Sequence, residues 1–187
     1  MTMIWCDTET TGIEPTDSGA FEIAMLVYRD SQFLGEKVFY LNPLNETIKF
    51  GIEAYQVNGV PEEKIRSYPP AEKVIPEIAE FLKQFVTEKK LIFAGYKCGF
   101  DYKHLKALFE RYGYQIDSFF NGRYCDVYEY VKKLYERGGL PPIPNKKLET
   151  VCKALRVEHE DAHTALSDIW ATRKLYEAIY KMGRKEP

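Results

Sequence analysis

The stretch MIWCDTETTG runs from Met3 to Gly12 and decides how the chain is interpreted. Four apolar residues lead into an acidic, threonine-rich turn closed by glycine, which is typical of a buried strand ending at the edge of a sheet. Side chains alternate faces along a strand, so Asp7 and Glu9 project from the same side. Two such carboxylates repel each other unless one keeps its proton or a divalent metal neutralises the pair. An isolated Asp-x-Glu more often marks a turn after a hydrophobic strand. The other segments of the chain are therefore needed to distinguish a turn from a functional pair of carboxylates.

The composition is that of an ordinary soluble globular protein, with 187 residues, 45% of them hydrophobic and 29% charged. This length predicts one domain with a full core. No apolar run reaches membrane-spanning length and no basic segment precedes a long apolar one at the N-terminus, so we expect neither a membrane protein nor a secreted one. The 4 cysteines are scattered without a C-x-x-C pair, which disfavours zinc and disulfides and fits a reducing cytoplasm.

The formal net charge of -2 bears on nucleic acid binding. A protein that coats a long duplex through many phosphates is disfavoured, whereas one that grips only a strand end is allowed. The 14 tyrosines and 11 phenylalanines can supply base-stacking surfaces, although aromatic residues more often pack the core and its rim. The net charge therefore favours binding at a strand end over binding along a duplex, and it does not exclude nucleic acid as a partner.

The first third of the chain predicts an antiparallel meander. Residues 21–28 and 33–41 have strand patterns and are separated by a turn at 29–32, and short connections join antiparallel neighbours. Residues 42–70 are predicted to be irregular, with a turn at Asn58 and Gly59. A helix over 71–86 and a short buried strand over 91–94 follow.

A second acidic segment leaves that strand and enters a helix, with the sequence GYKCGFD at residues 95–101. Asp101, Leu105, Leu108 and Tyr112 recur at helical spacing, which places the carboxylate on the face that carries the apolar contacts. A charge aimed at the core is costly unless it is paired or bound to a metal. Aspartate is also favoured at helix starts, so an N-cap is an equally good interpretation of this residue alone.

A third segment lies near the C-terminus. The pattern predicts a helix opening at residue 124, a loop over 138–144, a short helix over 147–155 and a last helix beginning near residues 161–163. Asp168 flanks the apolar stripe of the last helix. His163 is predicted in its first turn, where the helix dipole keeps the imidazole neutral and able to accept a proton. Taken alone, a histidine near an aspartate is usually only a helix-end feature.

Together the three segments resemble the DEDDh exonuclease family. The order DTETTG, GxxxxFD and HTALSD is specific in combination, and the match covers residues 3 to about 180. The tyrosine-type branch has its tyrosine where this chain has Thr164, and His163 stands five residues before Asp168 as in the histidine branch. The resemblance implies an α/β, ribonuclease H-like fold in a single exonuclease domain over residues 1–187. Its mixed five-stranded sheet is flanked by helices, and the first three strands form the antiparallel meander.

The same resemblance implies a site with two divalent cations, Mg²⁺ or Mn²⁺, and the oxygen ligands suit such ions. Asp7 would bridge the two ions, Glu9 and Asp168 would complete one site, and Asp101 would hold the other, partly through water. His163 would take a proton from the water that attacks the terminal phosphodiester.

Substrate contacts are implied for another set of positions. Glycine allows close backbone approach and an exposed isoleucine can pack against a base. Two positions depart from the family, since lysine replaces a common asparagine four residues before Asp101 and asparagine replaces histidine in the irregular region. The lysine would contact a phosphate of the scissile strand or remain solvated. The candidate substrate residues are Thr10, Thr11, Gly12, Ile13, Asn58 and Lys97.

The function that the resemblance implies is a metal-dependent 3′-to-5′ exonuclease that releases nucleoside 5′-monophosphates from single-stranded ends. DNA is favoured over RNA as substrate, although the motifs do not report the sugar. The expected partners are a single-stranded DNA or RNA 3′ end and either a polymerase or a second copy of the chain, with no membrane. A non-catalytic polymerase accessory or end-binding subunit of the same fold is the alternative, and a coincidental match in another metal-binding α/β protein is a third.

Overall fold

The computed structural model describes residues 1–160 and 163–183. In that part of the chain, five strands form one sheet and seven α-helices surround it. None of these described helices is both long and apolar enough to cross a membrane. The strands are β1 (Thr2–Thr10), β2 (Ala20–Arg29), β3 (Gln32–Tyr40), β4 (Leu91–Gly95) and β5 (Phe120–Asp126). The helices are α1 (Ile52–Asn58), α2 (Glu62–Arg66), α3 (Ala71–Lys83), α4 (Gly99–Arg111), α5 (Val127–Glu136), α6 (Leu148–Leu155) and α7 (Ala165–Gly183).

The sheet has the strand order β3-β2-β1-β4-β5. β1 pairs antiparallel with β2 and β2 pairs antiparallel with β3, whereas β1 with β4 and β4 with β5 run parallel. Asp30 and Ser31 join β2 to β3 with φ values of 49° and 71°. Positive φ at both turn residues matches the twist of a hairpin. The predicted ribonuclease H-like fold, with its antiparallel meander and mixed five-stranded sheet, is confirmed.

Helices cover both faces of the sheet, and β1 lies in the middle. On one face, Ile4 and Cys6 pack with residues of α3 and α4. On the other, Trp5 packs with residues of α5, α6 and α7. Because both faces are buried, β2 is apolar along most of its length and β1 is apolar from Met3 to Cys6. Near the end of β1, side chains at odd positions therefore face the layer of α5, α6 and α7, and side chains at even positions face the layer of α3 and α4.

Two short helices lie in residues 42–70, so the prediction of an irregular segment is wrong there. α1 has 7 residues, none of them buried, and α2 has 5 residues with only Ile65 buried. Helices this short carry no apolar stripe of several turns, which is the signal that periodicity detects. The turn predicted at Asn58 and Gly59 is present as the end of α1, where Gly59 has a φ of 69°.

The fifth strand is a second difference from the sequence pattern, which predicts a helix opening at residue 124. β5 is an edge strand, and its residues 121–124 are all exposed, so the alternation that marks a half-buried strand is absent. α5 begins only at Val127. Its N-cap is Asp126, whose carboxylate accepts from the N–H of Tyr128 at 3.0 Å.

Candidate active site

Three carboxylates meet at the C-terminal end of β1. Asp7 and Glu9 follow Trp5 at intervals of two, so their side chains face the layer that contains α7. α7 contributes Asp168 from its first turn. One oxygen from each of Asp7, Glu9 and Asp168 lies within 4.8 Å of the other two. The fold thus brings Asp168 next to Asp7 and Glu9, which are far from it in the sequence. Asp7 and Glu9 project from the same side of β1, as predicted.

Asp101 reaches the same region from the opposite face of the sheet. It is 4% exposed and lies in the first turn of α4, whose N-cap is Cys98. Its Oδ1 accepts from the backbone N–H of Thr8 at 3.0 Å and from the Thr8 hydroxyl at 2.8 Å. Asp7, Glu9, Asp101 and Asp168 all line one cavity of about 460 Å³. Sequence reasoning did not assign Thr8 a role, because a threonine between two acids carries no sign of a partner on a distant helix.

Burial raises the pKa values of three of these acids, and neighbouring charges add to the effect. Burial raises the pKa of Asp7 well above its ordinary value, and the charges of Asp101 and Asp168 raise it further. Burial followed by the charge of Asp168 raises the pKa of Glu9 from 4.5 to about 8. Burial raises the pKa of Asp101 to about 7, although the hydrogen bonds from Thr8 lower it. Carboxylates that repel one another at neutral pH favour a cation between them.

The donor set fits a hard divalent cation. Its ligand atoms are carboxylate oxygens, which Mg²⁺ and Mn²⁺ prefer, and sulfur is absent from the described cluster of three acids. A bound ion would offset both the burial of these carboxylates, which is the main cause of the raised pKa values, and the repulsion at Asp7 and Glu9. Asp7, Glu9 and Asp168 are close enough to share one ion, whereas Asp101 is not a member of that close group.

Glu22 supports the site from β2. It lies directly opposite Glu9 in the sheet register and is 6% exposed. Its Oε1 accepts from the N–H of Ala165, the first residue of α7, at 3.1 Å. Burial raises the pKa of Glu22, whereas the backbone donors of Ala165 and Leu166 lower it. The carboxylate therefore satisfies the N-terminus of the helix that carries Asp168. A glutamate inside an otherwise apolar strand was the available signal for this residue.

His163 lies before the last helix and not in its first turn, so the predicted position is wrong. α7 begins at Ala165, and His163 is exposed with a φ of 76°. Residues 161 and 162, where the helix was expected to begin, lie outside the described residues. The left-handed backbone turns the chain toward the site, and the His163 N–H donates to Asp168 Oδ1 at 3.4 Å. His163 lines the cavity of the four acids.

A second histidine contacts the same aspartate. His159 Nε2 lies 2.6 Å from Asp168 Oδ1, and the His159 side chain is 5% exposed. Sequence reasoning assigned no role to His159, since it lies outside the HTALSD motif and no periodicity marks it.

The candidate substrate residues border a neighbouring cavity of about 490 Å³, and Glu9 lines both cavities. Thr10, Gly12, Ile13 and Asn58 line this second cavity. Ile13 is 72% exposed, as an isoleucine that packs against a ligand requires. The Asn58 amide donates to the Thr10 carbonyl at 3.3 Å and so joins α1 to the end of β1.

Thr11 differs from its neighbours, because its side chain is 1% exposed and does not line the cavity. Its hydroxyl accepts from the Gly19 N–H at 3.1 Å and closes the loop between β1 and β2. A Cβ at Gly12 would lie 2.9 Å from the Cβ of Ser18, so glycine is needed for the two sides of this loop to approach.

Lys97 lines the cavity of the four acids. Its backbone is left-handed, with a φ of 54°, and its N–H donates to Asp126 Oδ1 at 2.9 Å. The ammonium lies 4.9 Å from the ring centroid of Tyr128. Lys147 lines the same cavity, so two cations border the acids.

A family model described as Exonuclease matches residues 4–176, which is most of the chain. The chain belongs to the exonuclease family. The order of its motifs assigns this exonuclease to the DEDDh branch of 3′-5′ exonucleases, which are phosphodiester hydrolases that depend on divalent metal ions.

Curated relatives of this exonuclease include three kinds of protein. The 3′-5′ exonuclease DinG of Bacillus subtilis is 26% identical over 182 residues, which are 97% of this chain and 18% of that protein. A PolC-type DNA polymerase III of Oceanobacillus iheyensis is 25% identical over 187 residues, 99% of this chain and 12% of that polymerase. An oligoribonuclease of Vibrio cholerae is 29% identical over 146 residues, 72% of this chain and 75% of that protein. The chain thus spans a small part of the polymerase and of DinG.

Solved structures with the same fold include E. coli exonuclease I. Its complex with a dT13 oligonucleotide has a TM-score of 0.81 and 21% identity, covering 98% of this exonuclease and 41% of that chain. The zinc-ion-bound form of its complex with single-stranded DNA has a TM-score of 0.82 and 22% identity, again covering 98% and 41%. The order of the five strands and the layers around them are therefore those of a known exonuclease fold.

Proposed function

We propose that this exonuclease is a metal-dependent enzyme that removes nucleoside 5′-monophosphates from the 3′ end of single-stranded nucleic acid, with DNA favoured over RNA. The observation that carries the proposal is the meeting of Asp7, Glu9 and Asp168 within 4.8 Å, beside a cavity that Asp101 also lines. A scaffold without a cation has no use for this arrangement, because the repulsion between the carboxylates lowers its stability.

The four acids would hold two Mg²⁺ or Mn²⁺ ions. Asp7 would contact both ions, Glu9 and Asp168 would complete one site, and Asp101 would hold the other, partly through water. The separation of Asp101 from the close group of three supports two positions in place of one. When bound, the ions would polarise the phosphodiester and stabilise the charge that develops on its oxygens.

His163 would act as the general base. It lines the cavity and is exposed, so its imidazole can accept a proton from the attacking water and pass it to solvent. The hydrogen bond from its N–H to Asp168 would keep the segment near the reacting phosphate.

The second cavity would receive the terminal nucleotide. Ile13 would pack against the base, and Thr10 and Gly12 would border the sugar and its phosphate. The hydrogen bond from Asn58 to Thr10 would fix α1 against the end of β1 at one wall of this cavity. The hydrogen bond from Gly19 to Thr11 would hold the loop between β1 and β2 in place. Lys97 would contact a phosphate of the scissile strand from the other side of the acids. Residues 1–187 would constitute one exonuclease domain.

DNA as the preferred substrate is supported by the relatives and by the fold. E. coli exonuclease I has been solved with single-stranded DNA oligonucleotides, and one of the relatives is a DNA polymerase. A polymerase is therefore the proposed protein partner. Co-elution with a PolC-type polymerase in size-exclusion chromatography would support that partner, and elution of the chain at twice its mass would indicate a second copy instead.

The test is degradation of 5′-labelled single-stranded DNA and RNA oligomers with Mg²⁺, Mn²⁺ or a chelator. We expect a ladder that shortens from the 3′ end, mononucleotide products, faster loss of DNA and no reaction with chelator. Retention of the label without any shortening would identify a binding subunit. Faster loss of RNA would reverse the proposed preference.

A further inference from the structure

His159 makes its hydrogen bond to one residue of the candidate site. The imidazole is 5% exposed, and its Nε2 lies 2.6 Å from Asp168 Oδ1. Within residues 1–160 and 163–183, the buried Nδ1 of the same ring has no hydrogen-bond partner. In the described structure, Asp168 is thus the hydrogen-bond partner of this ring.

A buried imidazole lowers the stability of the fold at a position where only the volume of the side chain matters. Leaving a buried polar atom unpaired lowers the stability of the fold, whereas an apolar side chain of similar volume has no such penalty. The ring therefore contributes through its bond to the carboxylate. An ionised carboxylate only accepts hydrogen bonds, so the tautomer with a proton on Nε2 is the one that would donate to Oδ1.

Other contacts already tie this segment to α7. Lys174 contacts Glu158 at 2.5 Å, and the hydroxyl of Ser167 donates to the carbonyl of Glu160. Both contacts lie on the exposed side and do not involve Asp168. The segment can therefore be attached to the helix without His159, and the bond to Asp168 has a separate consequence, which is to fix the plane of that carboxylate.

We infer that His159 is a positioning residue that orients Asp168 for a divalent cation, an inference that rests on the metal site of the proposed function. Carboxylates that bind metals are themselves hydrogen-bonded, and loss of such an outer partner typically costs about 10–100-fold in metal affinity or activity. His159 is not among the described residues that line the cavity of the four acids, so it would act through Asp168. His163, which lines the cavity, differs in that its loss would slow the reaction and leave the ion in place.

The experiment is calorimetric titration of the full chain with Mn²⁺ alone, together with the Mn²⁺ dependence of exonuclease activity. His159→Leu is expected to weaken Mn²⁺ binding by about 10–100-fold and to recover much of its activity at high Mn²⁺. His159→Gln places an amide donor near the position of Nε2 and is expected to bind Mn²⁺ close to the wild-type affinity. Glu158→Gln is the matched control, because it loosens the same segment on the exposed side and should not change the affinity.

Wild-type affinity for Mn²⁺ in His159→Leu would overturn the inference. If that variant does not fold, His159→Gln and His159→Asn decide, since the shorter asparagine amide cannot reach Asp168 as Nε2 does. Equal affinities in those two variants would also overturn it. A wild-type chain that binds Mn²⁺ but degrades no oligonucleotide would remove the proposed function and leave the role of His159 to be judged from the affinities.

Discussion

The hydroxyl of Thr8 donates to Asp101 Oδ1 at 2.8 Å, and so β1 contacts an acid of α4 through the side chain that lies between its own two acids. Asp7 and Glu9 face α7, and Thr8 faces α4. One strand thus arranges carboxylates on both faces of the sheet, two by carrying them and one by hydrogen bonding. The site depends on this alternation as much as on the acids themselves.

Thr8→Val should shift the pH dependence of activity. The hydrogen bond from the hydroxyl lowers the pKa of Asp101, so its removal raises that pKa and protonates the ligand at a higher pH. A hydrogen bond to a charged group contributes about 1.5–3 kcal/mol, so we expect the acidic limb of the pH-rate profile to move upward by about one to two units. Thr8→Ser keeps the hydroxyl and should retain the wild-type profile. An unmoved limb in Thr8→Val would show that the hydroxyl does not control Asp101.

Metal-free stability should decrease as the pH rises. In the folded chain the pKa of Glu9 is raised from 4.5 to about 8 and that of Asp101 from 3.8 to about 7, so in this range the folded protein binds more protons than the unfolded chain. The free energy of unfolding then falls with increasing pH. We expect the melting temperature in EDTA to drop between about pH 5 and about pH 8. Saturating Mg²⁺ or Mn²⁺ should reverse most of the drop, and a melting temperature that rises across this range in EDTA would contradict the assignment.

Asp7→Asn should abolish turnover and leave metal-free stability unchanged or higher. The substitution removes one of the charges that raise the pKa values of its neighbours, and it keeps the volume of the side chain. Melting in EDTA and melting with Mn²⁺ are the two measurements. The wild type should gain stability from Mn²⁺, and the variant should gain much less. A large loss of stability in EDTA would mean that Asp7 has a structural role.

His163→Ala should slow the chemical step by about 100-fold or more, which is the usual contribution of a positioned general base. The side chain is exposed, so stability should change little. Single-turnover cleavage measures the step, and calorimetry with Mn²⁺ should show wild-type affinity. Loss of Mn²⁺ binding in this variant would assign the imidazole to the metal and not to the proton.

The positions of the acids could be predicted from the sequence because local rules place them. The two-residue spacing puts Asp7 and Glu9 on one side of a strand, and the helical spacing of Asp101 with Leu105 predicts the inward direction that its burial confirms. The family motif then supplied Asp168. The number of strands was implied by the same resemblance, since the edge strand β5 has no alternation of its own.

The supporting residues could not be predicted, because their partners are distant in the sequence. Thr8, Glu22 and His159 act through hydrogen bonds to residues on other elements, and neither periodicity nor motif spacing reports such bonds. The position of His163 was also missed. The last helix was predicted to begin near residues 161–163, whereas His163 has a left-handed backbone and α7 begins at Ala165.

The distribution of the carboxylates over the two helical layers links hydrolysis to complete folding. Asp101 arrives with the layer of α4, and Asp168 arrives with the layer of α7, so a chain on which only one layer has docked lacks an acid that the reaction needs. Under the proposed function, a chain with only one layer docked would not cleave nucleic acid.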